Sequence, residues 1–95
     1  MQARSGWTFL SNHAHVLVAL ARDPSLRIRD MAGLVGVTER AVAQILVDLE
    51  VAGVISKRKE GRRNVYEVHP NVHLRHPVEA HRTVADLLRL ASSGE

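Results

Sequence analysis

Two stretches decide the fold: Ile28-Arg-Asp-Met-Ala-Gly-Leu-Val-Gly36-Val-Thr38-Glu-Arg-Ala-Val42, and then Ile55-Ser-Lys-Arg-Lys59-Glu-Gly61-Arg-Arg-Asn-Val-Tyr66. The first sets a glycine turn between two short apolar-periodic segments. The second gathers Lys57, Arg58, Lys59, Arg62 and Arg63 around one glycine. A short helix of this kind fits the major groove of a duplex, and a basic loop reaches the phosphates beside it.

In the first stretch a helix is expected over residues 30–35, with Met31, Ala32 and Val35 turned inward and Asp30 favouring the helix dipole. Arg29 stands where its cap is expected and is a poor capping residue. Gly33 weakens this helix by about 1 kcal/mol relative to alanine, so it depends on tertiary packing. Gly36 supplies the turn in a left-handed conformation, Val37 plugs the core, and Thr38 caps the next helix. That helix, over 39–52, repeats apolar residues at Val42, Ile45, Leu46 and Leu49, the i, i+3, i+4, i+7 pattern of a buried face. Gly53 ends it. Val54-Ile55 and Val65-Tyr66-Glu67-Val68 then read as strands of a hairpin turning near Glu60-Gly61.

Working outward, a first helix is expected over 11–22, with Ser11 or Asn12 as its cap. Its apolar stripe is Leu10, Ala14, Leu17 and Ala21, with Val16 and Leu20 beside it. Asp23-Pro24-Ser25 stops this helix, because proline pushes the preceding residue out of helical geometry. Leu26-Arg27-Ile28 alternates apolar and polar and reads as a short strand. On the far side, His69-Pro70 closes the hairpin, and Pro77 opens a last helix with Val84, Leu87, Leu88 and Ala91 as its stripe. The fold class is mainly α with a small antiparallel sheet, in the order helix, strand, helix, helix, strand, strand, helix. Residues 1–10 form an N-terminal arm that Trp7 anchors, 11–69 the folded unit, and 70–95 a linker and last helix for packing or dimerisation.

Composition agrees with one domain of 95 residues, too short to add a catalytic domain. The formal charge is only +3, but ten of the 13 Lys and Arg side chains lie at or before Arg63. Distribution therefore says more than the total. Without cysteine there is no disulfide, thiolate metal site or cysteine nucleophile. No apolar run approaches the roughly 20 residues of a membrane span. His13 and His15 spoil the segment that comes nearest to a secretory signal, so a cytoplasmic protein with no membrane partner is expected. No serine–histidine–aspartate order, phosphate-binding glycine loop or paired-carboxylate setting is present, which argues against an enzyme and against any cofactor.

The exit Leu49-Glu50-Val51-Ala52-Gly53-Val54-Ile55, following the capped helix and leading into the basic hairpin, resembles the winged helix-turn-helix domain of MarR- and ArsR-type regulators. The resemblance covers residues 26–69. It implies a recognition helix at 39–52, a wing at 57–64, double-stranded DNA as partner, and a homodimer. Carried over to this sequence, the groove-facing positions are Thr38, Glu39, Arg40, Ala41, Ala43 and Gln44. Arg40 suits guanine or a phosphate, Gln44 suits adenine, and the two alanines offer close approach or a thymine-methyl contact. In the wing, Lys57, Arg58, Lys59, Arg62, Arg63 and Asn64 are the contact candidates, with Arg62 and Arg63 favoured for the backbone or minor groove. Lys57 and Lys59 share one strand face and Arg58 takes the other. Trp7, Val84, Leu87, Leu88 and Ala91 are the dimerisation candidates.

Two alternatives accompany this reading. One is a winged helix serving as a protein-interaction module, suggested by Leu34 at a position that is usually polar in the pattern. The other is a metal-responsive repressor using His69, His73, His76 and His81. Their spacing is loose and lacks an acidic partner, so no metal site is assigned. Local hydrogen-bonding roles are expected for them instead.

Overall fold

The computed structural model describes residues 6–92; the outer ends of the expected arm and last segment, 1–5 and 93–95, lie outside the described residues. The order is α1 (Asn12–Arg22), α2 (Ile28–Val35), α3 (Glu39–Val51), β1 (Ile55–Glu60), β2 (Arg63–Val68) and α4 (Val84–Leu90). The four helices and the base of a two-stranded antiparallel sheet close over one core of Val16, Leu20, Met31, Val42, Ile55 and Val84, each nearly or wholly buried.

α1 begins at Ser11, whose hydroxyl accepts from the Ala14 N–H. Its buried stripe is Val16, Leu17 and Leu20, while Ala21, expected inward, is exposed. The strand expected at Leu26–Ile28 does not form. Just before it, the loop after α1 is tied to the hairpin by one bond, from the Tyr66 N–H to the Pro24 carbonyl at 3.0 Å. Ile28 instead opens α2, two residues earlier than expected, so Arg29 lies inside the helix and Arg27 precedes it. Asp30 makes this start possible, because its carboxylate accepts from both the backbone N–H and the Nε of Arg27.

Gly36 ends α2 in the left-handed region at φ 86°, and its N–H returns to the Ala32 carbonyl at 2.8 Å. Val37 is half-buried against the core and the Thr38 hydroxyl accepts from the Ala41 N–H at 3.0 Å, both as expected. α3 stops at Val51, one residue short of its expected end, with Ala52 as cap. The strands run further than the apolar flanks suggested and carry all of the basic segment but Arg62, pairing Ile55 with Val68 through to Glu60 with Arg63. The hairpin closes on Gly61 and Arg62, with Gly61 at φ 64°. A positive φ at the first of two turn residues suits the right-handed twist of the strands.

The last helix departs most from expectation. Residues 77–82 form turns, and α4 starts only at Val84. Thr83 and Asp86 build a reciprocal cap there: the Asp86 carboxylate accepts from the Thr83 N–H at 3.0 Å, and the Thr83 hydroxyl accepts from the Asp86 N–H at 3.4 Å. A threonine–x–x–aspartate cap outweighs a proline that has no apolar period behind it. The segment is bound to the core by bonds from the Val84 N–H to the Val72 carbonyl and from the Ala85 N–H to the Pro70 carbonyl. Val84 is 2% exposed within this core, so it is not available for the intermolecular role expected of it.

Candidate nucleic-acid interface

The start of α3 and the hairpin beyond it form the candidate interface. Val42, Ile45, Leu46 and Leu49 hold α3 against the core, which turns Arg40 and Gln44 to solvent. Thr38 and Glu39 are exposed at the helix start, whereas Ala41 and Ala43 are half-buried along the edges of the exposed face. That face continues through Val47 and Val51, 51% and 83% exposed, which the sequence reading passed over. The signal was present: residues 40, 44, 47 and 51 are the complement of the buried period.

The wing's cations divide into two sets. Lys57 lies across from Tyr66 and Lys59 across from Asn64, on the strand face opposite to that of Arg58 and Glu60. Arg58 is paired with Glu60 at 2.6 Å. The Arg63 guanidinium donates to the Ser25 carbonyl in the loop between α1 and α2. Lys57, Lys59 and Arg62 make no side-chain hydrogen bond or ion pair among the described residues, and all three are exposed. Asn64 is half-buried. An unpaired surface cation can give its charge to a partner without first breaking a bond, so these three and Arg40 are the groups most ready to meet an anion.

Two polar residues that sequence reasoning gave no role stand beside this face. Asp48 accepts from Gln44 at 3.0 Å and from His13 of α1 at 2.8 Å. These bonds, that of His13 foremost, hold the Asp48 carboxyl below the usual carboxylate range. The spacing from Gln44 to Asp48 was visible as one helical turn, but the contact with His13 spans 35 residues and was not.

Four of the other five histidines make hydrogen bonds near their own segments, while His81 is exposed and makes none among the described residues. His15 meets the Asn12 side chain, His69 meets the Ser56 hydroxyl, His73 donates to the Ala80 carbonyl, and His76 accepts from the Val78 N–H. Among the described residues no three His, Asp or Glu side chains come together as a metal-binding group. Trp7 does not anchor the arm on the core: it is 74% exposed and packs edge-to-face with Phe9, 4.8 Å between ring centroids. Leu87 and Leu88 are half-buried against the core, and Ala91 at the end of α4 is half-buried. No described helix is long and apolar enough to cross a membrane.

No protein-family model matches the chain, and no curated protein matches it. Among solved structures it is similar to the PcaV transcriptional regulator from Streptomyces coelicolor in complex with its natural ligand. The identity is 27% and the TM-score 0.55, over 63% of this chain and 45% of that one. A second structure of the same regulator gives 27% identity and a TM-score of 0.54, over 62% and 46% of the two chains. The chain thus spans less than half the length of the regulator it matches. Four helices, a glycine-turned helix pair and a basic two-stranded hairpin, together with this likeness, make the chain a winged helix-turn-helix domain of MarR-like form.

Proposed function

We propose that the protein is a small transcriptional regulator that binds double-stranded DNA. α3 enters the major groove, with Thr38, Glu39, Arg40, Ala41, Ala43 and Gln44 toward the bases. The wing follows the backbone or minor groove. The observation that carries this reading is the wing itself: a projecting hairpin on which Lys57, Lys59 and Arg62 have no partner among the described residues. Unpaired charge on an exposed hairpin is what displacing counterions from phosphates requires. The likeness to a transcriptional regulator supports the same reading. Such a regulator acts in the cytoplasm as a homodimer on a pseudo-palindromic duplex, with half-sites about 10 bp apart or a multiple of that. The exposed Trp7 and the outer parts of α4 are the pairing candidates, with Val84 removed from that set by its burial.

The test is binding to random duplex across a salt series. A protein contacting several phosphates weakens steeply as salt rises, with a log–log slope near −0.9 per phosphate neutralised. Absence of binding at low salt would overturn the reading. One observation favours a second function, docking of another protein: Leu34 on α2 is 69% exposed. Under that reading Leu34→Lys abolishes partner capture, whereas a pure DNA-binding domain keeps its duplex affinity or gains slightly from the added charge.

A further inference from the structure

Asp48 lies one helical turn beyond Gln44 on α3, and both of its carboxylate oxygens are engaged. Oδ2 accepts from His13 Nε2 at 2.8 Å and Oδ1 accepts from Gln44 Nε2 at 3.0 Å. His13 belongs to α1, so a continuous chain of bonds runs from a packed helix to the exposed face of α3. A carboxylate can only accept. The Gln44 amide must therefore turn its NH2 group toward Asp48, and of its two flips only one is compatible with that neighbour. The second amide hydrogen and Oε1 remain without a partner among the described residues. With Asp48 taking the amide hydrogen trans to Oε1, the other hydrogen and Oε1 together form the donor–acceptor edge that a glutamine presents to adenine N7 and N6.

The arrangement matters for orientation more than for stability. The His13 and Asp48 side chains are 48% and 42% exposed, and ion pairs so open to water contribute little to folding. A long side chain with a free amide, by contrast, loses two χ angles and one flip before it can read a base. Holding it in place beforehand lowers that entropic cost. Asp48 is an acceptor at neutral pH, and the two bonds, with Arg75 adding attraction, extend that state to lower pH.

We propose that Asp48 is a positioning residue for base readout: braced by His13, it fixes the Gln44 amide in the single flip that reads adenine in the major groove. This rests on the duplex-DNA reading above and adds to it the residue that sets base preference.

Two measurements test it. In the first, bound fragments are selected from a random duplex pool with the wild type, Gln44→Ala, Asp48→Ala and the double variant. Gln44→Ala should lose an adenine preference at one position. Asp48→Ala should lose the same preference by about tenfold, the scale of one bidentate contact, and the double variant should lose no more. Removing a carboxylate near phosphates should leave affinity for random duplex unchanged or raise it, which a merely damaged fold would not do. The second measurement needs no DNA: the Gln44 side-chain amide protons, followed by NMR, should be shifted from free-glutamine positions and should return to them in Asp48→Ala. His13→Ala should have a partial effect, and His13→Gln, which restores a donor, should recover it.

An Asp48→Ala variant that keeps the preference lost in Gln44→Ala overturns the proposal. So does a wild-type Gln44 amide already at free-glutamine positions. Failure of the wild type to bind random duplex at low salt would instead bring down the duplex-DNA reading, and this proposal with it, before any variant is compared.

Discussion

The Arg63 guanidinium donates to the Ser25 carbonyl, fastening the wing to the loop between α1 and α2. Its neighbour Arg62 sits at the hairpin tip with no protein partner among the described residues, although the two arginines look equivalent in sequence. They should separate in experiment. Arg62→Ala should weaken binding to every duplex alike and reduce the salt slope by about one. Arg63→Ala should change the slope less and instead lower stability by about 1 kcal/mol through the lost hydrogen bond. Salt-series titrations and urea unfolding of both variants distinguish these outcomes; equal slopes would show that the Ser25 bond gives way on binding.

Gly33 and Gly36 both belong to the end of α2, and alanine should act on them with opposite signs. Neither has an atom within 4 Å of where a Cβ would sit, so sterics with neighbours do not decide the matter. Gly36 is in the left-handed region, where a Cβ costs about 1–2 kcal/mol. Gly33 is ordinary helix, where alanine gains about 0.5–1 kcal/mol. Gly36→Ala should therefore lower the urea midpoint and Gly33→Ala should raise it.

Periodicity made α1, α3 and the inward set of α3 legible, because thirteen residues with a consistent apolar face leave little choice of which side is buried. Features that rest on side-chain bonds between distant positions were not. Asp30 reaching back to Arg27 moved the start of α2, and Thr83 with Asp86 moved the start of α4, each overriding a reading made from apolar spacing or a proline. The site divides in the same way. Which α3 residues face outward follows from the helix period. Which wing cations are already engaged depends on Ser25 and Glu60, and the setting of Gln44 depends on His13, far off in the chain.

The sequence offers Val84 and Trp7 as candidates for one interface, yet one is buried and the other is 74% exposed. Val84→Ala should cost about 2 kcal/mol by leaving a cavity, and that loss should not depend on protein concentration. Trp7→Ser should leave the unfolding of dilute protein unchanged. If Trp7 helps join two copies, the same change should lower the sedimentation coefficient at high concentration. A concentration-dependent loss in Val84→Ala would mean that α4 is held by a second chain.

Acid should destabilise the protein through three carboxylates. The Arg27 backbone N–H, followed by its guanidinium, holds Asp30 below the usual carboxylate range. His13 does the same for Asp48, and the Thr83 backbone N–H, followed by Arg89, for Asp86. Each group binds its proton more weakly folded than unfolded. Its contribution is therefore complete above the ordinary carboxylate pKa and is lost as pH falls through the lower folded value. With respect to these groups stability should be level through neutral pH and should decline below about pH 4. Asp30→Asn with Asp86→Asn keeps side chains able to cap both helices while removing their charge. Urea midpoints measured from pH 7 to pH 2 should fall less steeply in that double variant than in the wild type, and an unchanged acid slope would place the proton uptake elsewhere.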